Sequence, residues 1–144
     1  VTPDHDEKPS MLHNESGKFE SIFLNVDILP NHSVMLKSLA GSRLGIWVAH
    51  GEGKFHLPKK ESTYHIPMKY SGNHYPANPN GSDFDTASIC SEDGRHLVMM
   101  PHLERSTYPW NWGYYPDDRK SDEITPWVEA FVNARNWITK NRKK

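Results

Sequence analysis

The sequence predicts an α/β fold, in which part of a mixed sheet carries a β-hairpin and a C-terminal helix covers one face. Three observations predict it. Residues 44–49, Leu-Gly-Ile-Trp-Val-Ala, form an almost wholly apolar run of strand length. Asp93-Gly94 lies between two strand-like runs, which is the pattern of a tight hairpin. Trp127, Phe131, Ala134 and Ile138 make an apolar stripe at helical spacing near the end of the chain.

The elements follow in chain order. Residues 1–18 are polar, with Pro3, Pro9 and Gly17, and predict a linker or loop. Residues 19–28 alternate, with Leu24, Val26 and Ile28 on one face and Phe23, Asn25 and Asp27 on the other. That is a strand, stopped by Pro30. Ser33 is a candidate cap for a short helix through Leu39, ended by Gly41. The run at 44–49 predicts a central strand covered on both faces, and His50-Gly51-Glu52-Gly53 a tight turn after it. Residues 57–83 are loop-rich, with a strand expected near 66–70. Residues 86–91 and 96–100 are the two arms of the hairpin. Residues 105–122 set Trp110, Trp112, Tyr114 and Tyr115 among Pro, Gly and charges. Thr125 is the expected N-cap of the final helix and Pro126 its first residue. Asp122 and Glu123 near its start, and Lys140 and Arg142 near its end, suit the helix dipole.

Composition bounds the function. A length of 144 residues suits one domain or a large piece of one. The mean hydropathy is −0.78, yet five Trp, five Phe and six Tyr supply large buried areas for a core. A net charge of −1 argues against a general nucleic-acid binder, which would show a basic excess. The closing Arg142-Lys143-Lys144 reads as a solvated helix end. Cys90 is the single cysteine, so no disulfide forms within the chain and a reducing cytoplasm fits. No apolar run approaches the roughly 20 residues that cross a bilayer. The chain opens on Val1 without a signal peptide and reads as the middle of a longer polypeptide.

His102 and Glu104 follow the apolar run at 97–100. In an extended chain, residues i and i+2 point the same way, so Glu104 is placed to accept a hydrogen bond from one imidazole nitrogen of His102. The other nitrogen is then free as a general base. The alternative is a surface His and Glu after a strand. Such a dyad needs a nucleophile, and the hairpin register argues against Cys90. With Asp93-Gly94 as the turn, Cys90 faces Leu97, and His102 lies about 16 Å further along at roughly 3.3 Å per residue. Nucleophile and base must approach within roughly 3 Å. Cys90 therefore reads as a small structural residue. The turn at 50–53 is either an ordinary tight turn or a place where backbone amides meet a ligand. No histidine or cysteine spacing suggests a metal site. The aromatic loop at 108–115 either stacks a ligand or packs on its own or a neighbouring domain.

Six motifs in fixed order join these signals. They are His13-Asn14-Glu15-Ser16, Phe19-Glu20-Ser21, Gly41-Ser42-Arg43, Ala49-His50-Gly51-Glu52-Gly53, Tyr75-Pro76-Ala77-Asn78-Pro79-Asn80-Gly81-Ser82 and Pro101-His102-Leu103-Glu104-Arg105. With the Pro126-Trp127 end and Phe131-Val132-Asn133-Ala134-Arg135, the series resembles the C-terminal glutaminase domain of the phosphoribosylformylglycinamidine synthases. The resemblance covers nearly the whole chain. It implies the second half of a class I glutamine amidotransferase (flavodoxin-like) domain over residues 19–144. It also implies a cytoplasmic ligase of purine biosynthesis that uses glutamine, with ATP and magnesium bound in the synthetase part of the parent enzyme and no cofactor in this chain. By that resemblance His102 is the general base and acid of a Cys-His-Glu triad, and Glu104 orients it. The backbone of Ala49, Gly51 and Glu52 lies beside the bound glutamine.

Two departures stand out. The family usually has Pro where this chain has Leu103, a side chain expected to point away from the dyad. The family's cysteine-bearing elbow is absent from the sequence and would precede Val1. The implied partners are glutamine and the remainder of the parent synthase, with no nucleic acid and no membrane. An unpaired strand edge or apolar face, inviting self-association, is also expected. The competing reading is a non-catalytic interaction module that uses the aromatic loop.

Overall fold

The structure, a computed structural model, describes residues 8–142. The expectations for residues 1–7 and for Lys143 and Lys144 lie outside the described residues. The expected linker at 1–18 holds a short strand, β1 (Ser10–Leu12), which pairs antiparallel with β4 (Lys54–His56). Three exposed residues carry too little alternation to announce a strand. The pairing with β4, more than forty residues away in sequence, makes it one.

A five-stranded sheet forms the body. It comprises β2 (Glu20–Ile28), β3 (Arg43–His50), β5 (His65–Tyr70), β6 (Thr86–Cys90) and β7 (Leu97–Met99), in the order β3-β2-β5-β6-β7. The predicted alternation in β2 holds, with Leu24, Val26 and Ile28 buried. Every strand pairing among the described residues is antiparallel, so the expected mixed sheet has no parallel pair here. The consecutive pairs β2–β3, β5–β6 and β6–β7 are neighbours in the sheet, and such direct connections between neighbours give antiparallel pairing.

β3 is covered on both faces, as predicted, but it is an edge strand and not a central one. Leu44, Ile46 and Val48 face the core. On the other face, Phe23 packs tilted against Trp47 and Trp112, with ring centres 5.2 and 5.6 Å apart. The apolar run therefore reports two covered faces, which an aromatic loop supplies here as well as a sheet interior would. Side chains occupy the outer edge too. Trp47 N–H donates to Ser106 Oγ, and Trp127 Nε1–H donates to the Gly45 carbonyl at 2.8 Å.

The hairpin register is the predicted one, with Cys90 opposite Leu97. Its tip differs. Gly94 N–H returns to the Ser91 carbonyl, and Gly94 takes φ = 69°, a left-handed conformation that costs glycine nothing. The Asp93 carboxylate accepts from Ser91 Oγ and from the Arg95 amide. These bonds favour a wider turn than the two-residue one.

The predicted short helix at 33–39 is a turn leading into a 3-10 turn at Lys37–Leu39. The Ser33 hydroxyl caps nothing; the Asn31 side chain instead accepts from the Ser33 amide. The final helix, α1, runs over Val128–Asn141, two residues later than predicted. Thr125 is buried, and its hydroxyl donates to the Ser106 carbonyl at 2.6 Å instead of capping α1. Trp127 and Ala130 enter the core, whereas Phe131 and Ile138 are 45% and 58% exposed. Only part of the predicted stripe thus faces inward. The bond from Trp127 to Gly45 sets the rotation of the helix and turns the other apolar positions outward. No helix among the described residues is long and apolar enough to cross a membrane.

Candidate active site

The sheet curls, and the chain leaving β7 meets the opposite edge of the sheet. His102 donates its backbone N–H to the Trp47 carbonyl at 2.7 Å, forming an isolated bridge to β3. Leu103 then opens a 3-10 turn, Leu103–Ser106, and is buried in the core at 3% exposure. The Leu in place of the family's Pro thus points away from the dyad and anchors it from below.

His102 has extended backbone angles, φ = −96° and ψ = 92°, while Glu104 already lies in the 3-10 turn. The pair therefore meets across a strand-to-turn junction and not along a strand. His102 Nδ1 lies 2.7 Å from Glu104 Oε1. A carboxylate only accepts, so Nδ1 carries the proton and donates. Nε2 has no hydrogen-bond partner among the described residues and keeps its lone pair for a reacting group. Burial raises the Glu104 carboxyl. The hydrogen bond from His102, its own backbone amide and the charges of His102 and Arg105 outweigh that and hold it below the usual carboxylate range. Glu104 is thus ionised beside the imidazole it orients.

A cavity of about 600 Å³ opens beside Glu104, lined also by Ala49, Trp47, Arg105, Tyr108 and Trp110 among others; His102 itself does not line it. Tyr108 and Trp110 stack face to face, with ring centres 4.6 Å apart and planes at 9°. The structure thus brings Ala49 and Glu104 to one cavity. Gly51 and Glu52 lie beyond it. The Gly51 carbonyl accepts from the Asn14 amide, and the exposed Glu52 carboxylate sits 3.5 Å from His13. Cys90 lines a different cavity, with His32 and His65. Burial, with a further contribution from Asp93, pushes its thiol up, which keeps it protonated and a poor nucleophile. No group of three or more His, Cys, Asp or Glu among the described residues converges to hold a metal ion.

Tyr108 and Trp110 of the aromatic loop at 108–115 wall the cavity, one of the two roles expected of that loop, whereas sequence reasoning missed the buried pair Asn14 and His50 behind the turn. Both of the latter sit inside quoted motifs, but nothing local says that residues 36 positions apart touch.

Comparison with known proteins identifies the family. Residues 2–138 match the family described as the CobB/CobQ-like glutamine amidotransferase domain. A probable phosphoribosylformylglycinamidine synthase of Arabidopsis thaliana, chloroplastic/mitochondrial by name, is 43% identical over 145 residues, covering 91% of this chain. The phosphoribosylformylglycinamidine synthases of Dictyostelium discoideum and Homo sapiens are 38% and 40% identical, each over 90% of this chain. The chain spans only 10% to 11% of the length of these relatives. Among solved structures, PurLQS from Thermotoga maritima matches with a TM-score of 0.70 and 23% identity, over 91% of this chain and 53% of that one. That likeness shows the shared fold. The match over nearly all of its length shows that the chain belongs to the CobB/CobQ-like glutamine amidotransferase domain family.

Proposed function

We propose that this chain is the histidine–glutamate half of a glutaminase site inside a phosphoribosylformylglycinamidine synthase, and that it lacks the cysteine nucleophile. The observation that carries the reading is the 2.7 Å bond from His102 Nδ1 to an ionised Glu104 that lines a cavity, a bond that leaves Nε2 without a partner among the described residues. The chemistry follows from that geometry. His102 Nε2 takes the proton of a cysteine thiol supplied by the rest of the polypeptide. The thiolate adds to the side-chain amide carbon of glutamine. The tetrahedral intermediate collapses, the C–N bond breaks, and the imidazolium gives its proton to the departing ammonia. Water, deprotonated by the same nitrogen, then cleaves the glutamyl thioester to glutamate and thiol. Glu104 stabilises the imidazolium in both halves.

The ammonia serves the ATP-dependent conversion of formylglycinamide ribotide to formylglycinamidine ribotide. We place ATP and magnesium in the synthetase part of the parent enzyme, and the parent enzyme in the cytoplasm. The backbone of Ala49, Gly51 and Glu52 is assigned to the glutamine subsite, with Ala49 already on the cavity wall. The stacked Tyr108–Trp110 pair lines the same cavity as Glu104, which favours a role in this site over a separate interaction module. Exposed Phe131 and Ile138 are the apolar surface through which the isolated chain would self-associate.

The test is His102→Ala in the complete synthase. Glutamine-dependent synthesis is expected to disappear, and synthesis from a high concentration of ammonium salt to survive. Equal loss with both nitrogen sources in a folded variant would overturn the reading.

A further inference from the structure

Asn14 is buried, and all four hydrogen-bonding positions of its side chain are used. Its Nδ2 donates to the His50 carbonyl at 2.6 Å and to the Lys18 carbonyl at 2.9 Å. Those two bonds fix the orientation of the amide. Its Oδ1 accepts from the Gly53 amide at 3.1 Å and from His50 Nδ1 at 3.0 Å. The Asn14 backbone N–H also donates to the Gly51 carbonyl at 2.9 Å. One residue thus holds three of the four residues of the turn at 50–53.

The His50 ring is the other half of the clamp. Because Asn14 Oδ1 can only accept, His50 Nδ1 carries the proton. Gly53 lies flat against the ring, where a Cβ would come within 2.3 Å of His50 Nδ1, so only glycine fits. Asn80 backs the turn, with Nδ2 donating to the Gly53 carbonyl at 2.7 Å. His50 directly follows Ala49 on the cavity wall and ends β3, the strand whose Trp47 carbonyl carries the His102 backbone.

We infer that Asn14 and His50 are positioning residues of the amidotransferase site, clamping the end of β3 and the turn after it so that Ala49 and His102 face one bound glutamine. This rests on the glutaminase reading. Neither residue touches the reacting atoms. Their effect is on how well glutamine is held, since a subsite displaced by a fraction of an ångström loses binding first.

The experiment compares His50→Phe, His50→Asn and His102→Ala in the complete synthase, with thermal melting as a folding check. Phe keeps the ring but not the donor. Asn places an N–H at the position of Nδ1 and restores it. His50→Phe is expected to raise the glutamine KM about tenfold, with kcat and ammonium-dependent synthesis changed far less. His50→Asn is expected to return most of the loss, which a role in packing alone would not allow. If His50→Phe does not fold, Asn14→Asp reads out the same clamp. It keeps the shape and the acceptor oxygen, but turns a second oxygen toward the His50 and Lys18 carbonyls. A folded variant of either kind with the wild-type glutamine KM, beside an inactive His102→Ala, would overturn this inference alone. Glutamine use surviving in His102→Ala would overturn the glutaminase reading first, and the clamp with it.

Discussion

Replacing Glu104 by Gln tests the dyad with little change of shape. The Gln oxygen still accepts from His102 Nδ1, so the ring stays oriented, but the negative charge is gone. A hydrogen bond to a charged group contributes about 1.5–3 kcal/mol net. The Glu104 side chain is 61% exposed, so solvent screens it and the lower end applies. A loss of about 1.5–2 kcal/mol in transition-state stabilisation is a fall of roughly 10- to 30-fold in rate. Glu104→Ala also frees the ring and is expected to cost more. The assay is glutamine-dependent against ammonium-dependent turnover in the complete synthase. Because the Glu104 carboxyl sits below the usual range, its contribution to stability is complete above the unfolded value of about 4.5 and is lost only as pH falls through its folded value. The parent is thus expected to melt slightly above Glu104→Gln at neutral pH, by a margin that solvent screening keeps small, and the two to converge as pH falls below the folded value. Rates within twofold of the parent, or equal loss with both nitrogen sources, would refute the orienting role.

Three further outcomes are expected. The 144-residue chain alone should release no more glutamate from glutamine than its His102→Ala counterpart, because its one thiol lies in another cavity. Cys90→Ser in the complete synthase should leave glutamine-dependent synthesis near that of the parent; a selective loss with intact folding would place Cys90 in the site. His50 is held below its ordinary value by burial, with His102 adding to the effect and a backbone hydrogen bond and Glu20 opposing it. The unfolded chain then binds more protons than the folded one below about pH 6.5, so stability falls as pH drops through that window, by at most about 1.4 kcal/mol per pH unit. Urea unfolding from pH 7.5 to 5.5 should show this slope reduced in His50→Asn, and identical slopes would show that His50 is not held neutral.

What the sequence by itself determined was local. The alternation of Leu24, Val26 and Ile28 needs only the two-residue period of a strand, and the Cys90–Leu97 register follows from counting outward from a turn. The His-x-Glu spacing sufficed to pair His102 with Glu104, because two intervening peptide units can bring the groups together by more than one backbone path. The order of short motifs indicated the family. Tertiary structure decided what depends on distant contacts. The covered faces of β3 look the same in sequence whether a neighbouring strand or an aromatic loop covers them, so its place at the edge was not legible. The helical stripe named one inward face, and only its Trp127 end reaches the core, where Trp127 bonds to Gly45, 82 residues away in sequence. The curl of the sheet carries His102 from the end of β7 to the far edge strand, and Asn14 reaches the turn at 50–53 from a segment that read as linker. Periodicity records which side of an element is apolar. It does not record which partner covers that side, and the site is made of such partners.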